Sequence, residues 1–317
     1  MNRIDATFIH HHSSPRGDCV PISNCVTCKF LVDTNILPVC PYPREKQSLG
    51  EIEMMAATEK MDVGQMNTYS YDGGLNIHVY DTGDVMCDQT IILEKGGRAV
   101  VLELPCFRDS IEAVTGWLAS RGINLEAKFI SYHAAGASFL PGVRSIMTSS
   151  AAAYNSEGQG KALVDGFIKA FGEGFDGTVA EADEVVGAGD IEIAGIRMVI
   201  VPNADAFEVE IPEAKAVYMH MLGHDCHSIV AGPGHADAII ANLRQYLDRG
   251  FDLFLTSHHV PEGRQDVEAK IAYLESLKTI AAGSSSGAEF RQKAIEAYPN
   301  YSGENYLDMT AGMFFPQ

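Results

Sequence analysis

Three apolar segments of this sequence end in histidine. Phe129-Ile-Ser-Tyr-His133 runs into the small-residue turn Ala134-Ala-Gly-Ala137. Val217-Tyr-Met-His220 leads to Met-Leu-Gly-His224-Asp-Cys-His227, and Phe251-Asp-Leu-Phe-Leu-Thr-Ser257 delivers His258-His259. Side chains at the ends of strands in an α/β sheet converge on one rim, where ligands usually bind. A divalent ion that activates water needs at least three protein donors and an open position. The donors on offer are His133, His220, His224, Asp225, His227, His258 and His259.

The Gly223-His-Asp-Cys-His227 turn is the densest of these groups, with imidazole, carboxylate and thiol side by side. Placed beside His133 and His258 it would complete a mononuclear site, and that reading requires His133, His224 and His258 to lie together. Asp225 is then a ligand or a general base, or else the cap of a turn. Strand alternation puts Tyr218 and His220 on one face and Met219 and Met221 on the other. His259 reads as a neighbour that orients or binds, while His78 and His235 read as structural. Cys226 offers a thiolate nucleophile if its pKa is lowered, but Ile229 and Val230 nearby favour burial. Glu103, before Pro105, is either an orienter of a histidine or a solvated rim carboxylate, and the second is preferred. Each histidine taken singly also has a plain reading as a hydrogen-bonded core or rim residue.

The elements that must position these groups are legible from Tyr69 onward. Leu75–Tyr80, Thr90–Glu94 and Ala99–Leu104 form a meander, the last two joined by a Gly96-Gly97 hairpin turn. Residues 109–121 have helical spacing, with Asp109 suited to the N-cap and Gly122 as the stop. A strand over 127–132 carries His133. A short strand (143–148), a rim loop through Ser149, Ser150, Tyr154 and Gly158-Gln-Gly160, and a helix over 160–171 follow. Residues 185–193 fit a hairpin, and 197–201, 206–211, 216–222 and 252–256 read as strands, with a helix over 235–249 and two terminal helices over 265–281 and 288–297. The tail, with Tyr298, Tyr301, Tyr306 and Met313-Phe-Phe315, is too aromatic to stay solvated and packs on the domain or on a second copy of the chain, which would make a homodimer.

With 46% hydrophobic and 21% charged residues among 317, the chain can bury a substantial core. Forty-two acidic against 23 basic residues give a net charge of −19, which repels a phosphate backbone or an anionic membrane surface and argues against nucleic acid or membrane as partner. No apolar run approaches the ~20 residues that span a bilayer, and the N-terminus lacks signal-peptide layout, so the cytoplasm is the expected compartment. Four of the seven cysteines, Cys19, Cys25, Cys28 and Cys40, crowd residues 1–53 with His10-His-His12. Cys87, Cys106 and Cys226 read as small buried hydrophobes. The first segment is either a small metal knuckle or, by preference, a disordered or artefactual extension. Leu49-Gly-Glu-Ile-Glu-Met-Met55 resembles a translated ribosome-binding site, with Met54 or Met55 as start and 54–317 as the domain.

Two successive blocks of strands followed by helices, with histidines on one rim, resemble the metallo-β-lactamase-like fold superfamily over roughly residues 70–280. The carriers are Val100-Val-Leu-Glu103, Ile130-Ser-Tyr-His-Ala-Ala-Gly136, Met198-Val-Ile-Val-Pro-Asn203, Phe207 to Tyr218, and Phe254-Leu-Thr-Ser-His258. The resemblance implies an α/β fold, an αββα sandwich, and rim loops that hold one or two zinc, iron or manganese ions. On that family's His-x-His-x-Asp-His pattern this chain reads Ser131-Tyr-His133-Ala-Ala135-Gly136. Only His133 matches; Ala135 and Gly136 stand where the second ion's carboxylate and histidine would be. The next ligand histidine falls near Asn203, the bridging aspartate near His220 or Met221, and the terminal histidine on His258.

The resulting expectation is a metal-dependent hydrolase with a divergent site. It holds one divalent ion, zinc before iron or manganese, on His133 and His258 with His224 or His227, and has Asp225 as base or ligand and a small molecule as substrate. The alternative is a non-catalytic protein of this fold that binds a small molecule or a partner at the rim.

Overall fold

The computed structural model describes residues 56–316. The readings made for Cys19, Cys25, Cys28, Cys40 and His10 to His12 lie outside them. Two-residue turns set the first sheet going. Gly96 and Gly97, at φ +62° and +80°, join β4 (Gln89–Lys95) to β5 (Arg98–Leu102), because a type I′ turn matches strand twist and needs two left-handed residues. With β1 (Ala56–Lys60), β2 (Gln65–Ser70) and β3 (Leu75–Asp81), these make an antiparallel meander. Helix α1 (Arg108–Ser120) then crosses over, burying Ile111, Val114, Trp117 and Leu118, and β6 (Asn124–Phe129), β7 (Ser145–Thr148) and β8 (Glu184–Val186) extend the sheet in parallel.

The second sheet runs β14-β13-β12-β11-β10-β9. It comprises β9 (Gly189–Ile193), β10 (Ile196–Pro202), β11 (Phe207–Ile211), β12 (Ala216–Tyr218), β13 (Leu253–Leu255) and β14 (Glu262–Gly263). The expected hairpin within residues 185–193 is not formed: β8 and β9 belong to different sheets, and the chain passes between the sheets at 187–188. The true hairpin is β9–β10, turned by Ala194 and Gly195 at φ +57° and +73°.

Alternation along the short strands builds the layers. Ala216 and Tyr218 of β12, and Leu253 and Leu255 of β13, join the large core shared by both sheets. Val217 and Phe254 point the other way, into a second core under α4 (Pro233–Asp248), α5 (Arg264–Ala282), α6 (Gly287–Ala297) and α7 (Glu304–Phe314). The rim stretch 149–160 is not a loop: α2 (Ser149–Ser156), capped by the Thr148 side chain, and α3 (Gln159–Phe171) occupy it. The aromatic tail is packed on its own chain, with Leu307 and Ala311 in the outer core and Phe314 stacked on Phe290 at 5.3 Å. The result is an α/β chain of two sheets with helices outside them, the expected αββα sandwich. Among the described residues no helix is long and apolar enough to cross a membrane.

Candidate metal centre

Glu103 builds the first part of the site. It sits just past β5 at φ +63°, fully buried, and its carboxylate accepts from the backbone N–H of Ser131 (3.3 Å), Tyr132 (2.8 Å) and His133 (2.9 Å) and from the Tyr218 hydroxyl (2.6 Å). The preferred reading of a solvated rim carboxylate is corrected. A loop leaving β6 exposes N–H groups that a buried sheet end cannot satisfy, and one carboxylate satisfies three of them. His133 is thereby fixed at the rim.

His220 and His258 leave the neighbouring parallel strands β12 and β13, so their loops emerge on the same edge of the second sheet. The three rings meet. His133 Nε2 lies 3.1 Å from His258 Nε2, and the centroid separations are 5.0 Å for His133–His220 and 5.0 Å for His220–His258. One donor nitrogen from each falls within 4.8 Å of the others. Tyr132 stacks on His220 at 4.3 Å, with Tyr154 edge-on to Tyr132.

A fourth loop, between β3 and β4, completes the site. Asp88 is 1% exposed, with Oδ1 3.2 Å from His258 Nδ1 and Oδ2 accepting from the Cys106 thiol at 3.0 Å. The Met86 carbonyl lies 3.2 Å from the same Nδ1. These acceptors hold the proton of His258 on Nδ1 and leave Nε2 with a lone pair facing His133, the arrangement in which a carboxylate orients a ligating histidine.

Electrostatics separates the three imidazoles. Burial, with the neighbouring rings, lowers His220 far below the ordinary histidine range and lowers His133 too. Burial also opposes charge on His258, but Asp88 outweighs it and raises that pKa. Asp88 itself is lowered: His258 and His133 overcome the cost of burial. Asp84 is pushed up to about 7 by burial and by the charge of Asp88, so it is the carboxyl of this loop that can hold a proton near neutral pH.

This donor set fits a divalent ion. Two of the three rings are held neutral, the state in which imidazole ligates, and His220 Nδ1 is buried with no hydrogen-bond partner among the described residues. His133, His220 and His258 would hold the ion, with Asp88 and Glu103 behind two of them.

The ligand set read from the sequence is therefore divided. His133 and His258 come together as expected, but with His220. His224 belongs to a separate group with His259 and Glu262. His227 is buried in the aromatic layer of the outer core, Nδ1 3.0 Å from the Tyr273 hydroxyl and ring against Tyr301. Asp225 Oδ1 lies 3.0 Å from His259 Nε2, so the expected base is engaged in the separate group. The physical reason is that Gly223, at φ +76°, turns the chain after His220, and residues 224–227 follow the turn away from the rim.

Asp84 and Asp88 were missed, although three aspartates within Asp81–Asp88 between two meander strands marked that turn as more than a connection. His220 carried a usable signal. Strand alternation pairs it with Tyr218, and Tyr218 reaches the same Glu103 that holds His133.

No model of a known protein family matches the sequence, and no curated protein matches it. Solved structures do match in shape. One is the metallo-β-lactamase family protein TTHA1429 from Thermus thermophilus, with 13% identity and a TM-score of 0.55 over 76% of this chain and 91% of that one. Another is the stereoselective inverting sec-alkylsulfatase Pisa1 from Pseudomonas sp., with 14% identity and a TM-score of 0.53 over 79% of this chain and 50% of that one. The two-sheet sandwich, its order of strands and helices, and these neighbours agree: the chain has the metallo-β-lactamase-like fold.

Proposed function

We propose that the chain is a metal-dependent hydrolase acting on a small molecule, with one divalent ion, zinc before iron or manganese, on His133, His220 and His258. The observation that carries this reading is the meeting of three half-buried imidazoles from three loops, one ring backed by the buried Asp88 and another residue held through its backbone N–H by the buried Glu103. Such an ion supplies a Lewis acid and a water acidified toward neutral pH.

The chain's own residues have defined parts. Glu103 fixes the backbone of His133, Asp88 fixes the tautomer of His258, and Tyr132 orients His220 by stacking. Asp84, pushed up to about 7 by burial and by the charge of Asp88, holds the loop through the N–H groups of Met86 (2.8 Å) and Asp88 (3.2 Å), and its charge raises the pKa of His258.

The two positions where the resembling family carries donors for a second ion, 135 and 136, hold none here. A Cβ on Gly136 would stand 2.0 Å from the Pro105 carbonyl oxygen, and Ala135 is buried beside Cys106 and Phe175. That same loss supports a second reading, a non-catalytic protein of this fold that binds a ligand at the rim.

The test is metal content by inductively coupled plasma mass spectrometry on the full chain and on a His133→Ala, His258→Ala double variant. It is followed by a screen of esters, amides, thioesters, phosphodiesters and sulfate esters. The hydrolase reading expects about one equivalent lost in the variant together with the activity. Activity undiminished in the variant overturns it, and equal metal in both proteins, or metal without turnover of any class, moves the choice to the binding protein.

A further inference from the structure

The loops that carry His220 and His258 also carry His224 and His259, and these face a different carboxylate. Glu262, at the start of β14, is 1% exposed and His259 5% exposed. Glu262 Oε1 lies 2.8 Å from His224 Nδ1, and Oε2 lies 3.7 Å from His259 Nδ1. The two oxygens of one carboxylate thus address the Nδ1 atoms of two imidazoles. Behind them each Nε2 faces another carboxylate: His259 Nε2 is 3.0 Å from Asp225 Oδ1, and His224 Nε2 is 3.7 Å from Asp266 Oδ1. Glu262 is held in place by the N–H groups of Gly223 (2.8 Å) and His224 (2.7 Å).

We propose that His224, His259 and Glu262 form a second divalent-cation site, separate from the rim centre, with Asp225 and Asp266 as the carboxylates that orient its two histidines. Two histidines and one glutamate are a complete set for a zinc-type ion that keeps one position for water. Ligating imidazoles characteristically give their other nitrogen to a carboxylate; His259 does so to Asp225 at 3.0 Å, and Asp266 lies 3.7 Å from that of His224. Ligands about 2.1 Å from a tetrahedral ion stand roughly 3.4 Å apart. The two distances from Glu262 to the Nδ1 atoms bracket that value.

Charge supports the same occupant. Three carboxylates, Asp225, Glu262 and Asp266, gather around two imidazoles and the buried Lys270, whose Nζ donates to the carbonyls of Gly223 (2.7 Å) and Cys226 (3.1 Å) and to the Ser228 hydroxyl. A divalent cation with neutral imidazoles balances the three negative charges with Lys270, as two protonated imidazoles do. The cation can therefore take the place of two protons without leaving a buried net charge. With a proton on Nδ1, His259 donates to the Val260 carbonyl at 3.0 Å, and that proton is the one the cation displaces. His224, its side chain 22% exposed, is the entry side.

The experiment is equilibrium dialysis of the full chain against zinc alone, with metal counted by mass spectrometry. The proteins are the parent, His224→Gln, Glu262→Gln, the His133→Ala, His258→Ala double variant and that double variant with His224→Gln added. Any zinc held by residues 1–53 is common to all five and cancels in the differences. The expected result is that His224→Gln and Glu262→Gln each bind about one zinc fewer than the parent, and that adding His224→Gln to the double variant removes one ion more. Glu262→Gln also disturbs two backbone contacts, so His224→Gln, checked for parental circular dichroism and melting temperature, is decisive. If folded His224→Gln binds as much zinc as the parent, the group is an ion-pair network and the proposal is overturned. A rim centre that fails to bind, seen as no difference between parent and double variant, leaves the His224-dependent ion to be counted independently.

Discussion

Replacing Glu103 by glutamine changes one atom type in a fully buried group and tests the logic by which the rim is assembled. Oε2 accepts from Ser131 and His133, and Oε1 accepts from Tyr132 and the Tyr218 hydroxyl. An amide keeps only one of the two oxygens. Turned with its NH₂ toward the Oε1 partners, it donates to the Tyr218 hydroxyl, which then donates to Ser257 Oγ at 2.8 Å, so only the Tyr132 N–H loses its acceptor; turned the other way it strands the N–H groups of Ser131 and His133. The amide takes the first orientation, and one buried donor so stranded costs about 1–3 kcal/mol. That is a substantial share of the ~5–15 kcal/mol that holds a typical domain together. Tyr218→Phe strands no backbone group and leaves one less donor, so it should cost about 1 kcal/mol. Urea denaturation of the full chain, read by circular dichroism, gives both numbers. Glu103→Gln should also weaken zinc binding at the rim, since the backbone of His133 loses its anchor. A Glu103→Gln protein within ~0.5 kcal/mol of the parent, the scale of an ordinary surface substitution, would refute the claim that this carboxylate organises residues 131–133.

Three further outcomes follow from the same structure. Asp88→Asn keeps the shape but removes the charge behind His258, and rim affinity for zinc should fall about 10–100-fold in a chelator competition. Gly136→Ala should destabilise by several kcal/mol without adding an ion, because the left-handed φ of +85° and the Pro105 carbonyl both reject a Cβ; a neutral melting temperature would contradict this. Burial holds His78 neutral, with a pKa lowered to about 4 from 6.5. The unfolded chain therefore takes up the proton first, and stability is lost as pH falls from 6.5 to 4, by roughly 3 kcal/mol. The stability difference between the parent and His78→Gln should change by that amount over this window, and parallel profiles would count against the assignment.

Much of the sandwich was legible because its strands and helices obey local rules. The Gly96-Gly97 turn, the apolar spacing of α1 and the runs at 197–201 and 206–211 needed no tertiary information. The 185–193 segment misled because a pair of short β-prone runs reads as a hairpin, whereas the real reversal needed left-handed Ala194, which no propensity favours. The site was half legible. His133 and His258 follow from strand order, but His220 and His224 differ only in which side of a glycine turn they leave, and a single φ decides that. Glu103 was placed in solvent because its four donors come from positions 131–133 and 218, contacts that sequence spacing does not announce.

The close approach of Gly136 to Pro105 also bears on redesign. A side chain at 136 would begin 2.0 Å from the Pro105 carbonyl oxygen, on backbone held at φ +85°. Any larger residue grafted into this part of the rim must first rebuild the 105–136 contact, so packing sets the residue at this position whatever the rim binds.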